Sequence, residues 1–161
     1  MLYDDNPHLF LSFFTRGVFD APLTVYLEKR LRERGVFLYR LNDDRRVGED
    51  WAVAAARKMR DADGTLCLWT RGAMNSNPVR EEVRFALEKN LPICLLKEEG
   101  IELPESWPER KLFVKLRGID PVFSLGLSIF VEWSCVERQA MTSMLDEITQ
   151  FAWRAHASRR R

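Results

Sequence analysis

The chain alternates short apolar runs with longer segments in which apolar residues recur at helical spacing. Five runs are apolar or β-branched: Leu9 to Phe14, Val36 to Tyr39, Thr65 to Trp69, Leu91 to Leu96, and Leu112 to Leu116. Their starts lie 21 to 29 residues apart, which fits a strand, a helix and two loops. Because the runs lack polar alternation, each strand is expected to be covered on both faces. The pattern predicts an α/β fold with an open, parallel, five-stranded sheet and helices on both faces.

Apolar stripes and capping residues predict the helices between these strands. We expect helices from Asp20 to Gly35, from about Trp51 to Ala62, from Asn77 to Asn90, and from about Ser134 onward. Asp20 can cap the first helix, and Asn77 with Pro78 forms a cap followed by a first helical residue. The whole chain, 1–161, is expected to be one domain, with a core over about residues 8–153 and a basic tail at 154–161.

Composition argues against several classes of protein. The 161 residues are 46% hydrophobic, and 25 basic against 24 acidic side chains leave a formal charge of +1. That charge is too small for a broad phosphate-binding face, so direct nucleic-acid binding is not expected. The apolar runs fall far short of the roughly 20 residues of a membrane helix, and the N-terminus lacks the order of a signal peptide. We therefore expect a cytoplasmic protein that does not contact a membrane.

Cys67, Cys94 and Cys135 show no C-x-x-C spacing, so they are interpreted as buried free thiols, and no metal site is predicted. The chain also lacks a P-loop, a G-x-G-x-x-G segment after a strand, and a G-x-S-x-G elbow. The sequence therefore predicts neither a P-loop phosphate site, nor a dinucleotide fingerprint, nor the nucleophile elbow of the hydrolases. In an open parallel sheet, ligands bind beyond the carboxyl ends of the strands. The loops at Thr15–Asp20, Asn42–Gly48 and Thr70–Asn77 are expected to meet there.

Four segments, taken in order, resemble Toll/interleukin-1 receptor (TIR) domains. LFLSFFTRGVFD resembles the opening box of the family, and RERGVFLYRLNDDRRVGEDWAVAAARKMRDADGTLCLW resembles its second strand, BB loop, helix and third strand. SNPVREEVRFAL is similar to the S-x-W-x-x-x-E-[LIV] motif, with Ser76 at the serine, Glu82 at the glutamate, and Pro78 in place of the tryptophan. The LPESWPE loop and the last helix follow in the family's order. The resemblance covers about residues 8–153 and implies a flavodoxin-like fold.

The resemblance also implies an activity. Catalytic TIR domains cleave the nicotinamide–ribosyl bond of NAD⁺, and some cyclise the remaining ADP-ribose. The chain is most similar to bacterial TIR proteins of antiphage defence, so we expect an NAD⁺ glycohydrolase or cyclase with NAD⁺ as its substrate and no cofactor. One fixed carboxylate near the ribose stabilises the positive charge that develops there. Glu82 is the candidate catalytic acid, with Glu81 as the open alternative; an acid near a helix N-terminus is also favoured by the helix dipole alone.

The residues expected to bind the substrate lie in the converging loops and at the helix starts. They are Phe13, Phe14, Thr15, Arg16, Asp43, Arg45, Arg46, Trp51 and Ser76. The arginines are suited to clamp a pyrophosphate, and Asp43 to accept hydrogen bonds from ribose hydroxyls. The aromatic residues are suited to stack on a base, although Trp51 lies on the apolar stripe of its helix, where core packing is the alternative.

The family resemblance further implies self-association through the BB loop, NDDRRVG, by a head-to-tail contact that can propagate into filaments. A partner chain or a fused domain would then act as the sensor or effector. Two other functions stay open: a noncatalytic TIR assembly module, and a nucleoside-processing enzyme on a similar sheet. Hydrolysis and cyclisation of NAD⁺ are not distinguished by the sequence.

Overall fold

A parallel sheet lies at the centre of the structure, with helices on both of its faces. The computed structural model describes residues 5–17, 20–41, 50–98, 100–105, 107–108, 113–116 and 135–159. The strands are β1 (His8–Ser12), β2 (Phe37–Tyr39), β3 (Gly64–Trp69), β4 (Ile93–Glu98) and β5 (Phe113–Leu116). They lie in the order β2-β1-β3-β4-β5, and each neighbouring pair is parallel. The predicted α/β class, with a parallel sheet flanked by helices, is confirmed.

The described helices follow the predicted order, with small shifts at their ends. They are α1 (Asp20–Arg32), α2 (Trp51–Asp61), the short α3 (Arg71–Met74), α4 (Asn77–Glu88) and α5 (Cys135–Arg159). Asn77 is the first residue of α4 and Ser76 is its N-cap, so the prediction that Asn77 is the cap was wrong by one residue. The first strand ends at Ser12 and not at Phe14, which leaves Phe13 and Phe14 in the loop. None of the described helices is long and apolar enough to cross a membrane.

The sheet separates two hydrophobic cores, because alternate residues of each strand point to opposite faces. Leu9 and Leu11 of β1 pack with α1 and α5, whereas Phe10 packs with α2 and α4. Burying one such side chain contributes about 1.5 to 3 kcal/mol. Both faces of the central strands are therefore covered, as the apolar runs predict. Cys67 and Cys94 are free and buried in these cores, which confirms that interpretation, while the side chain of Cys135 lies outside the described residues.

Two helices end in the same hydrogen-bonded turn, which fixes where the following strand begins. After α1, Gly35 has a φ of 78°, and the N–H of Val36 donates to the carbonyl of Leu31 at 2.9 Å. After α4, Asn90 has a φ of 52°, and the N–H of Leu91 donates to Ala86 at 2.9 Å. These are Schellman caps, in which a left-handed residue lets the chain reverse and satisfies helix carbonyls.

A buried carboxyl ties the amino-terminal edge of the sheet to the end of α5. Asp63 Oδ2 accepts the backbone N–H of His8 at 2.8 Å and lies 3.1 Å from Nδ1 of His156. The N–H of Asp63 donates to the carbonyl of His8 at 2.8 Å. Residues 154–159, which the sequence analysis assigned to a basic tail, continue α5, because Ala155 and His156 are buried there.

Replacing Asp63 with alanine is expected to destabilise the fold by about 2 to 3 kcal/mol. The change leaves the N–H of His8 without its acceptor and removes the partner of His156, and unsatisfied buried donors each cost about 1 to 3 kcal/mol. Urea denaturation followed by circular dichroism measures the loss. The control is Glu33→Ala, which removes the exposed ion pair with Arg30 and should change stability by less than about 1 kcal/mol. Equal effects of the two changes would contradict a stabilising role for Asp63.

Candidate functional site

A cavity of about 470 Å³ lies between the start of α2 and the start of α4, at the carboxyl edge of the sheet. Its walls are mainly apolar: Leu41, Trp51, Ala52, Ala55, Ala56, Met59, Pro78 and Phe85. Among the described residues, four polar ones also line it: Asp50, Asn77, Glu81 and Glu82. The volume and the ratio of apolar to polar walls are typical of small-molecule sites. This is also the edge at which ligands bind open parallel sheets.

Helix periodicity explains why Glu82 faces the cavity and is partly covered. Val79, Val83 and Ala86 form the buried stripe of α4, and Glu82 lies at the margin of this stripe, where it is half-buried. Glu81, one position away, is exposed and pairs with Arg84 on the same helix. The two adjacent acids therefore have different surroundings, and Glu82 is the more enclosed.

Burial dominates the electrostatics of Glu82 and raises its pKa from 4.5 to about 7. The hydroxyl of Ser12, at the end of β1, lies close enough to oppose this rise by favouring the charged form. No basic side chain among the described residues adds to that effect. At neutral pH the Glu82 carboxyl is thus divided about equally between its protonated and charged forms.

Ser12 and Cys67 lie beneath Glu82 because the register of the sheet sets them side by side. Ser12 of β1 pairs with Cys67 of β3, and Ser12 is only 1% exposed. Among the described residues, its hydroxyl has no partner with hydrogen-bond geometry. The hydroxyl is therefore available to donate to a charged carboxylate. Burial, followed by the nearby Glu82 carboxylate, raises the pKa of the Cys67 thiol. The thiol is therefore neutral and does not compete as a charged group.

A second buried carboxyl, Asp20, organises the neighbouring loops. Asp20 is 3% exposed, and the hydroxyl of Thr70 donates to its Oδ2 at 2.5 Å. Thr70 Oγ1 in turn accepts the N–H of Ala73 at 3.2 Å and caps α3. Burial raises the pKa of Asp20, the nearby Glu98 adds to the rise, and hydrogen bonds from Thr70 and from backbone groups oppose it. Asp20, the first residue of α1, thus joins the start of α1 to the start of α3.

The structure brings some of the predicted site residues together and separates others. Trp51 lines the same cavity as Glu82, and 48% of its surface is exposed, so it does not pack in the core as the apolar stripe allowed. Phe14 packs in the core on the side of α2 and α4. Phe13 packs in the opposite core, with the guanidinium of Arg40 5.9 Å from its ring centroid. Of the two phenylalanines, Phe14 is on the same side of the sheet as the cavity.

The remaining predicted residues lie outside the cavity lining or outside the described residues. Thr15 and Arg16 are exposed in the turn after β1. Ser76 caps α4 through its backbone, with no side-chain cap hydrogen bond. Asp43, Arg45 and Arg46 belong to a segment, 42–49, outside the described residues, so their predicted contacts with pyrophosphate and ribose stay predictions.

Sequence reasoning missed several residues that shape the cavity. Asp50 caps α2, with Oδ1 accepting the N–H of Ala52 at 2.7 Å, and it also lines the cavity with Leu41 and Phe85. The available signal was an acid directly before an apolar helix. Ser12 was visible only as a serine that ends an apolar strand, and its position under Glu82 depends on strand register.

No group of three or more His, Cys, Asp or Glu side chains among the described residues is placed to hold a metal ion. No protein-family model matches the chain, and no curated protein matches it in sequence.

Replacing Glu82 with glutamine is expected to stabilise the protein increasingly as pH rises. The folded pKa of Glu82 lies above its ordinary value, so the folded state holds the proton longer than the unfolded state. The contribution of protonated Glu82 to the free energy of unfolding is therefore fully present below about pH 4.5, and it is lost as the pH rises to about 7. Because a pKa unit corresponds to about 1.4 kcal/mol and the side chain is partly exposed, the advantage of Glu82→Gln over wild type should grow by about 1 to 3 kcal/mol between pH 5 and pH 8.

Denaturant titrations at several pH values measure this difference. Glu88→Gln is the matched control, since Glu88 lies on the same helix, is exposed, and has Arg84 4.0 Å away. Its difference from wild type should stay within about 0.5 kcal/mol across the range. Parallel curves for Glu82→Gln and wild type would show that burial does not perturb the Glu82 carboxyl.

Proposed function

We propose that this chain is a catalytic TIR-type domain that cleaves the nicotinamide–ribosyl bond of NAD⁺. The observation that carries the proposal is the position of Glu82. It occupies the glutamate position of the resembling motif, is half-buried, and lines a cavity large enough for a small ligand. The strand order β2-β1-β3-β4-β5 supports a flavodoxin-like fold, although many unrelated functions share that order.

The proposed reaction needs one well-placed negative charge and a water molecule. The bond between ribose C1′ and the pyridinium nitrogen breaks, and its electron pair neutralises the nicotinamide as it leaves. The ribosyl centre becomes an oxocarbenium-like cation, which the Glu82 carboxylate stabilises from a fixed position. Water then adds to C1′ and loses a proton, giving ADP-ribose. Cyclisation replaces that water with a nucleophile of the same ADP-ribose.

The surroundings of Glu82 are suited to this role. The charged form is the active one, and Ser12 favours that form while burial opposes it. Apolar walls keep bulk water from the carboxylate, which strengthens its interaction with a cationic centre. We assign Trp51 to stacking on a ring of the substrate. The pyrophosphate is assigned to Arg16 and to Arg45 and Arg46 of the BB loop.

Glu82→Gln is expected to lower NAD⁺ cleavage by about 10²- to 10³-fold, since losing one preorganised charge of this kind costs roughly 3 to 4 kcal/mol. Purified protein is incubated at high concentration with NAD⁺, and nicotinamide, ADP-ribose and any cyclic product are separated by chromatography. Because the carboxylate is the active form, kcat/KM for wild type should rise with pH through about 7 and then level off.

Two further variants make the assignment specific. Glu81→Gln tests the alternative acid, and Glu88→Gln tests a change of charge elsewhere on α4. If Glu81→Gln is the inactive variant, the acid is assigned to the wrong residue. If all forms leave NAD⁺ intact at every concentration, the chain fits a noncatalytic assembly module, and turnover of free nucleosides without NAD⁺ cleavage would favour a nucleoside-processing enzyme.

We also propose that activity depends on assembly, and expect specific activity to rise with protein concentration. The BB loop NDDRRVG carries acidic and basic side chains suited to a head-to-tail contact with another copy, and such contacts do not close on themselves. Arg45→Glu combined with Arg46→Glu should weaken both assembly, followed by light scattering, and catalysis. Flat specific activity from nanomolar to tens of micromolar protein, with a monomer throughout, would rule this out.

The proposed biological setting is bacterial antiphage defence or cell-death signalling in the cytoplasm, through loss of NAD⁺ or through a cyclic nucleotide signal. A partner chain or a fused domain would supply the trigger. This setting follows from the TIR resemblance alone.

A further inference from the structure

A buried hydrogen bond joins the segments that follow two neighbouring strands, β1 and β3. Thr70 Oγ1 donates to Oδ2 of Asp20 at 2.5 Å, and the two residues are only 1% and 3% exposed. The Asp20 carboxyl also accepts a backbone hydrogen bond from Phe14, in the loop after β1. Asp20 therefore holds the loop after β1 on one side and the start of α3 on the other.

Two glycines let the backbone approach this hydrogen bond closely. A Cβ at Gly17 would lie 2.6 Å from Oδ1 of Asp20, and a Cβ at Gly72, in α3, would lie 2.5 Å from the ring of Phe14. Carbon atoms pack at about 3.5 to 4 Å, so neither position has room for a side chain unless a neighbour moves. The loop after β1 and α3 are therefore in close contact at two separate points.

The N-terminus of α3 is attached to the sheet by two side chains. Thr70, which follows β3, accepts the N–H of Ala73 at 3.2 Å. Glu98, the last residue of β4, accepts the N–H of Arg71 at 2.8 Å through Oε2. The first N–H groups of a helix have no partner inside that helix, so these contacts fix both the position and the direction of α3.

A hydrogen-bonded turn joins α3 to α4, the helix that carries Glu82. The N–H of Ser76 donates to the carbonyl of Ala73 at 3.0 Å, and the N–H of Arg80 donates to the carbonyl of Ser76 at 3.0 Å. Ala73 and Val79 are buried in the same core. Residues 71–88 are therefore one α3–α4 unit, and a displacement of α3 would also move Glu82.

We propose that Asp20 and Thr70 position Glu82 for the reaction, because their hydrogen bond fixes the α3–α4 unit against the loop after β1. The catalytic consequence rests on the proposed function, whereas the placement of α4 can be measured without a substrate. Neither residue is among the described residues that line the cavity, so both are positioning residues. A displacement of about 1 Å at a reacting group can lower a rate by about 10²-fold, so a small movement of Glu82 is enough.

The kinetic test compares two substitutions of Thr70. Thr70→Val removes the hydroxyl at nearly constant volume, and Thr70→Ser retains it. With each protein well below its unfolding temperature, Thr70→Val should lower kcat for NAD⁺ cleavage by about 10- to 100-fold and change KM by less than about threefold. Thr70→Ser should recover most of the lost kcat. A role in stability alone would lower the unfolding temperature and leave kcat of the folded protein unchanged.

Thr149→Val is the matched control for the loss of a threonine hydroxyl. It removes the hydrogen bond from Thr149 Oγ1 to the carbonyl of Leu145, inside α5. Both kcat and KM should stay at their wild-type values.

Hydrogen exchange of the native protein, followed by NMR, tests the placement of α4 without NAD⁺. Thr70→Val should speed the exchange of the Arg80 and Glu82 amides by at least about fivefold, since a weaker attachment of the α3–α4 unit lets it open locally. Amides of α5 should exchange as in wild type, and Thr149→Val should leave the α4 amides unchanged. If Thr70 only capped α3, the effect would be confined to Ala73 and Met74.

Gly17→Ala provides a second variant in case Thr70→Val does not fold. The new Cβ would displace the Asp20 carboxyl and leave the Thr70 hydroxyl in place. Gly17 is not among the described glycines with a positive φ, so alanine fits its backbone conformation. The same changes in kcat and in α4 exchange are expected, each by at least about threefold.

Wild-type kcat in Thr70→Val, equal losses of kcat in Thr70→Val and Thr70→Ser, or wild-type exchange in α4 would each overturn the inference. Failure of the proposed function looks different: exchange in α4 responds as expected, yet the wild-type protein does not cleave NAD⁺. Cleavage of NAD⁺ that is insensitive to Thr70→Val would leave the enzyme proposal standing and remove the positioning role.

Discussion

A carboxyl group in apolar surroundings keeps its charge only with help, and the described structure gives Glu82 little of it. Burial raises the pKa of Glu82, and the Ser12 hydroxyl opposes that rise only in part. If this position at the margin of α4 had only a structural role, the fold would be more stable with glutamine there, or with an acid as exposed as Glu81. Glu82 is therefore an energetically unfavourable residue at this position. Such residues are common in sites that bind a group of opposite charge.

The rest of the fold offsets this cost at a distance from the cavity. Two cores cover both faces of the sheet, and Asp63 joins β1, β3 and α5 at the amino-terminal edge. At the carboxyl edge, Asp20 and Thr70 hold the loops from which α1 and α3 start. The Asp63 and Asp20 carboxyls are satisfied by several partners, in contrast to Glu82. The buried acids that stabilise the fold thus have several hydrogen-bond partners, whereas the acid of the candidate site has few.

The order of strands and helices could be predicted from the sequence because apolar periodicity is local. Glu82 was singled out by its motif position, and its place at the margin of the buried stripe of α4 became visible only in the structure. The exposure of Trp51 could not be predicted, since a stripe residue at the start of a helix packs only if the sheet extends beneath it. The opposite placement of Phe13 and Phe14 depends on where β1 ends, and the hydrogen bond from Thr70 to Asp20 joins residues 50 positions apart. Such features depend on tertiary register, which no local pattern carries.

Pro78 and Trp51 line the same cavity from different helices. Pro78 stands where the TIR motif has tryptophan, and as the second residue of α4 it loses no helix hydrogen bond. Its saturated ring gives the cavity apolar surface but no aromatic surface. Trp51 lines the same cavity from the start of α2, so its indole comes from a different helix. The cavity therefore brings together an acid from α4 and an indole from α2, which lie 31 positions apart in the sequence and meet only in the folded chain.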